Sequence, residues 1–114
     1  MATSWEETAV KRVLKLPNVQ VTRVDACQYG MTGEHVGERL PIKKPTKWMN
    51  NMRGVIEALH KTCSGRDGMC ANGLRHASCT GKRAEQSAIY PLEYCKAILK
   101  GITNHLATAG LMHQ

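Results

Sequence analysis

Phenylalanine is absent from these 114 residues, and two Trp and three Tyr make up the whole aromatic set. A core built from this chain must draw on Val, Ile, Leu, Met and Ala. No apolar run is long enough to span a bilayer, so a transmembrane helix and a membrane partner are excluded from the expectation. The opening residues, Met1-Ala2-Thr3-Ser4-Trp5-Glu6-Glu7, are polar and acidic and do not form a secretory signal. An intracellular location, nuclear or cytoplasmic, is expected, with thiols or metal ligands in place of disulfides. Five cysteines is an odd number, which also argues against a complete disulfide framework. The length suits one domain or domain fragment spanning residues 1–114.

Acidic residues are scarce in the middle of the chain. Residues 41–83 hold Lys43, Lys44, Lys47, Arg53, Lys61, Arg66, Arg75, Lys82 and Arg83 against Glu57 and Asp67, which accounts for the whole net charge of +7. The flanking segments are each balanced. A basic stretch rich in glycine and cysteine between neutral flanks points to a polyanion, a metal, or both. Lysine and arginine bind phosphate without reading sequence, so Lys43, Lys44, Lys47, Arg53, Arg66, Arg75, Lys82 and Arg83 are candidate nucleic-acid contacts, DNA or RNA. Trp48, within that stretch, is expected in the core because so few large side chains are available to fill it.

Ser4 and Glu7 read as a capping box opening a first helix with an apolar face of Val10, Val13 and Leu14. Val19–Val24 is rich in β-branched residues and reads as a strand. Residues 30–45 read as irregular, punctuated by Gly30, Gly33, Gly37, Pro41 and Pro45. Thr46–Met49 reads as a short returning strand. A second helix is expected from Arg53 to Lys61, and a long loop over 63–82 that something other than packing must pin. Pro91 opens a last helix with a stripe of Leu92, Cys95, Ile98, Leu99, Ile102 and Leu106, and Gly110 stops it.

Two His-x-x-Cys units, His60/Cys63 and His76/Cys79, bracket Cys70. Zinc takes four Cys or His ligands in a tetrahedron, and two ligands three residues apart can share one ion. Scattered thiols without a metal are the plain alternative. No local signature of a cysteine hydrolase surrounds any cysteine, and no catalytic residue is assigned. Asp25, at the end of the first strand, is a weak acid–base candidate, and Glu6 and Glu7 are better explained by the helix cap.

Several landmarks together resemble a region of eukaryotic retroelement (retrotransposon) polyproteins. They are Ala2-Thr3-Ser4-Trp5, Asp25-x-Cys27-x-Tyr29-Gly30, Lys44-Pro45-Thr46-Lys47-Trp48-Met49-x-Asn51, Cys63-x-Gly65, His76, Arg83-Ala84, Tyr90-Pro91 and Cys95-x-Ala97-Ile98-x-x-Gly101. That region is similar to the C-terminal half of a cytosine-C5 DNA methyltransferase-like Rossmann domain. The resemblance implies an α/β fold with a partial Rossmann-like sheet of two or three short strands, in which Val19–Val24 and Thr46–Met49 form an edge pair. Three main helices and a long basic Cys/His/Gly-rich loop complete it.

The cofactor turn and nucleophile loop of such an enzyme are not in these 114 residues. The resemblance therefore implies a domain without activity of its own, whose missing N-terminal half is a possible partner. It also implies a zinc set that keeps Cys27, Cys63 and His76, with Cys70 or Cys79 as the remaining ligand. Three functions follow as expectations: a non-catalytic domain contacting nucleic acid through residues 43–83, the back half of a methyltransferase-like enzyme, or a small zinc-clamped interaction module.

Overall fold

The computed structural model describes residues 3–110. A single 3-10 turn takes Thr3–Glu6, and α1 follows at Thr8–Leu14. The helix therefore starts later than the Ser4 capping box predicts. Glu7 stands at the cap without a side-chain bond. None of the α1 residues is buried, so Val10, Val13 and Leu14 do not join the core.

The strand expected at Val19–Val24 is β1, Gln20–Asp25. It pairs antiparallel with β4, Pro45–Asn50, in a register that sets Thr22 opposite Trp48 and Asp25 opposite Pro45. The expected pairing of these two strands is thus present, although the pair stands alone and is not the edge of a larger sheet among the described residues. Between its strands the chain is more regular than its glycines and prolines suggest. β2 (Thr32–His35) and β3 (Glu38–Pro41) form a second antiparallel pair. Val36 and Gly37 turn the hairpin, both with positive φ (48° and 78°), which is the twist a two-residue hairpin turn requires.

The fold is mixed α/β, with four α-helices and two separate two-stranded sheets among the described residues. A Rossmann-like sheet is not among them. Such sheets are parallel with crossover helices, and both pairs here are antiparallel.

The second helix, α2, is Arg53–Ala58, shorter than expected because the chain turns at Leu59 to bring Lys61 beside β1. α3, Gly81–Gln86, is unheralded in the sequence. It has no apolar stripe and buries no residue. α4, Leu92–Thr108, matches the expectation in length. Its inward face is rotated from the expected stripe: Leu92 and Leu99 are exposed, while Tyr94 and Gly101 are buried.

Gly101 is where α4 meets α2. A Cβ on Gly101 would lie 2.8 Å from the Val55 Cα and 2.9 Å from the Gly54 carbonyl oxygen, so the two helix backbones nearly touch.

The core holds more aromatic surface than the expectation of aliphatic residues with Trp48. Val24, Ala26, Met31, Leu40, Ile42, Val55 and Leu59 are buried, yet Tyr94 is the largest fully buried side chain. Its ring centroid lies 4.6 Å from Tyr90 and 4.9 Å from Tyr29, within the range where aromatic pairs attract. Trp48 packs against this core, as expected, and its Nε1–H donates to the Tyr94 hydroxyl at 2.9 Å. With only five aromatics in the chain, four of them gather here and tie β4 to α4.

Candidate metal centre

Residues 59–80 contain no helix or named strand, as the glycine-rich composition predicts. Three backbone links hold this segment to the sheets. The Asp25 N–H donates to the Lys61 carbonyl (3.0 Å), the Cys63 N–H donates to the Asp25 Oδ2 (2.7 Å), and the Ala77 N–H donates to the Pro41 carbonyl (2.9 Å).

Within the segment the chain reverses at Asp67-Gly68, both at positive φ (56° and 80°). A bridge between Met69 and Arg75 then closes a small loop through Gly73. The Cys70 N–H bonds the Leu74 carbonyl (2.7 Å), and the His76 N–H bonds the Gly68 carbonyl (2.8 Å). Gly65 permits the tight approach. A Cβ there would collide with the backbone of Met69 and Cys70.

This path brings Cys63, Cys70 and His76 together, and Cys27 completes the group from the 3-10 turn Ala26–Tyr29 that ends β1. The four donor atoms all lie within 4.8 Å of one another. The Cys63 Sγ is 3.9 Å from the Cys70 Sγ and 3.7 Å from the His76 Nε2. Zinc–sulfur bonds of about 2.3 Å place tetrahedral ligands roughly 3.8 Å apart. Both separations match that edge, so the four residues are able to hold a metal ion.

The surroundings prepare the donors unequally. Burial raises the Cys63 thiol, but backbone N–H groups of Gly65 and Ala71, with the neighbouring Cys27 and Cys70 thiols, bring it below its ordinary value overall. The Ala71 N–H reaches its sulfur at 3.4 Å. Burial pushes Cys27 up to about 12, and the neighbouring sulfurs add to the rise. His76 is lowered, first by burial and then by the nearby Lys43 ammonium, with Asp25 opposing. A neutral imidazole is the form that ligates.

The other expected ligands stand elsewhere. Cys79 faces Ser87, with Sγ and Oγ 3.3 Å apart, and is outside the cluster. His60 lies just past α2, with Nδ1 3.4 Å from the Thr22 hydroxyl. The two His-x-x-Cys units therefore do not act as pairs; each contributes one residue. Asp25 is buried and holds the Cys63 backbone, a positioning role in place of the acid–base role considered from sequence. No sequence signal marked that bond.

The basic residues divide. Lys44 is spent internally: its ammonium donates to the Ser87 carbonyl at 2.7 Å and sits 5.3 Å from the Tyr90 ring centroid. Arg83 donates to the Ser78 and Glu34 carbonyls at 2.7 and 3.2 Å, joining α3 to the β2–β3 hairpin. Arg53 pairs with Glu57 at 3.1 Å along α2. Lys47 is exposed on β4, directly across the ladder from Arg23. Lys82 is exposed on α3, and Arg66 and Arg75 are exposed on the metal loop itself. Lys43 is half-buried close to His76.

No family model, curated protein or solved structure matches the chain. No helix of the described residues is long and apolar enough to cross a membrane.

Proposed function

We propose that this chain is a non-catalytic domain clamped by one zinc ion on Cys27, Cys63, Cys70 and His76, and that it contacts nucleic acid through its basic segment, residues 43–83. The convergence of the four donors carries the reading. Three thiolates and an imidazole are a soft donor set that favours zinc over oxygen-seeking cations. Four protein ligands fill a tetrahedron, leaving no open position for substrate, so the ion is structural. It supplies what the loop lacks, since 59–80 has few buried apolar residues to fix its path.

The nucleic-acid half rests on charge. Arg66 and Arg75 ride on the metal-held loop, and Lys47 faces Arg23 across a strand pair. Arg23 is paired with the Asp25 carboxylate at 3.5 Å and the Lys47 ammonium lies 5.7 Å from the Trp5 ring centroid, so the exposed Arg66 and Arg75 carry most of this charge argument.

Two measurements test the reading. Protein purified without added metal should carry about one equivalent of zinc, and Cys63→Ser should lose it together with the order of 59–80. Affinity for nucleic acid should fall steeply between about 50 and 200 mM salt, and chelating the metal should weaken binding at every salt concentration. Metal-free protein with a fully ordered loop would end the zinc assignment, and a salt-independent affinity would end the other.

A further inference from the structure

An open cleft of about 580 Å³ lies beside the metal centre, where the turn after Cys27 faces α4. Lys61, Lys96 and Lys100 line it, with Gln28, Tyr29 and Glu93. Lys96 and Lys100 are one helical turn apart on α4, which places both ammonium groups on the same side. Lys61 reaches it from the opposite wall, its ammonium 4.9 Å from the centroid of the Tyr29 ring. Three cations thus face one carboxylate, Glu93, which is 3.5 Å from Lys96 and exposed.

Neither face of Tyr29 is free for a stacked base. Tyr94 lies 4.9 Å away, Lys61 is also close, and the phenol hydroxyl is spent on the Ala58 carbonyl at 2.6 Å. What the cleft offers is therefore charge without base recognition. An apolar, enclosed pocket would suit a small molecule. An open trough walled by ammonium groups suits a chain of phosphates passing through it, with lysines acting as point charges.

We infer that this cleft is a seat for the phosphodiester backbone of a nucleic acid, held by Lys61, Lys96 and Lys100. The inference rests on the nucleic-acid reading above and extends the contact surface beyond residues 43–83 to α4. The wall opposite α4 is tied to the metal centre. Gln28 follows the ligand Cys27, with its Nε2 3.5 Å from that sulfur, and Lys61 stands two residues before the ligand Cys63. The zinc would thus fix one side of the trough while α4 supplies the other.

The test uses the zinc-loaded full chain and a short oligothymidylate, titrated across a salt series. The variant carries Lys96→Ala and Lys100→Ala, both exposed and remote from the metal ligands in sequence. A control carries Arg12→Ala on α1 and Lys15→Ala at its C-terminal cap, removing the same charge elsewhere. Loss of two phosphate contacts should flatten the log–log salt slope by about 1.4 and weaken binding on the order of tenfold at low salt. The control should keep the slope.

Equal losses in variant and control would overturn the cleft assignment, because net charge alone would then be acting. Equal affinity for poly-glutamate of the same charge would overturn the assignment to phosphate. A wild-type chain that fails to bind the oligonucleotide at any salt would bring down the nucleic-acid reading itself and the cleft with it. Strong wild-type binding with unchanged variant binding removes the cleft alone.

Discussion

The Asp25 carboxylate accepts the backbone N–H of Cys63 at 2.7 Å, and that bond joins the end of the first strand to the first ligand of the metal loop. Asp25 is almost fully buried, so the bond is shielded from water. Removing the acceptor leaves the Cys63 N–H unpaired and frees its backbone. Asp25→Ala should weaken zinc binding by roughly 10- to 100-fold, the usual effect of losing a group that orients a ligand. Asp25→Asn keeps an oxygen acceptor and should lose less. Competition with a chromogenic chelator measures both.

The cysteines should sort by position in the fold and not by their spacing in sequence. Cys70→Ser removes a donor from the cluster and should abolish stoichiometric zinc. Cys79→Ser keeps a polar atom facing the Ser87 hydroxyl and should retain it. Metal analysis of the two variants decides. Full zinc in Cys70→Ser would mean that Cys79 can replace it, and the geometry above would be wrong.

Zinc affinity should rise with pH through neutrality. Cys27 holds its proton up to about 12 in the metal-free protein, so at neutral pH the ion must displace it. At least one proton leaves per zinc bound, and affinity should change by at least about tenfold per pH unit. His76 works in the other direction, since its lowered pKa keeps the ring neutral and adds no competing proton at pH 7. Calorimetry in two buffers of different ionisation enthalpy counts the protons released. Binding without proton release would contradict the raised Cys27 value.

Val36 holds a left-handed conformation (φ 48°) that β-branched residues avoid, and it is 89 % exposed. Its side chain packs on little, so replacement loses little. Val36→Asn should stabilise the β2–β3 hairpin by about 1 kcal/mol, read as an upward shift of a few degrees in Tm. An unchanged or lower Tm would show that the turn is not at positive φ in solution.

The sequence announced the elements whose pattern and packing agree. β1 is β-branched, α4 begins after proline and ends before glycine, and the loop is spelled out in glycines. The β2–β3 hairpin stayed hidden because Val36-Gly37 is an unusual turn pair and Pro41 closes the second strand. α3 stayed hidden because Lys82-Arg83-Ala84-Glu85-Gln86 has no apolar face, and its position depends on Arg83 reaching the hairpin. Trp48 was legible as a core residue from the scarcity of large side chains, but the three tyrosines that gather around it come from residues 29, 90 and 94, which no sequence spacing relates. For the metal site, Cys63, Cys70 and His76 were visible as a local run. Cys27 entered only through the family resemblance, since no spacing rule reaches from residue 27 to residue 63.

That long reach has a consequence for how the domain can be cut. The Cys63–His76 stretch carries three donors and the turn that follows β1 carries the fourth. The site is not a portable knuckle that can be excised as a peptide or grafted onto another scaffold. Any break or fusion point between residues 28 and 62 separates the fourth donor from the other three. Such fragments would be left to assemble as two pieces around the ion.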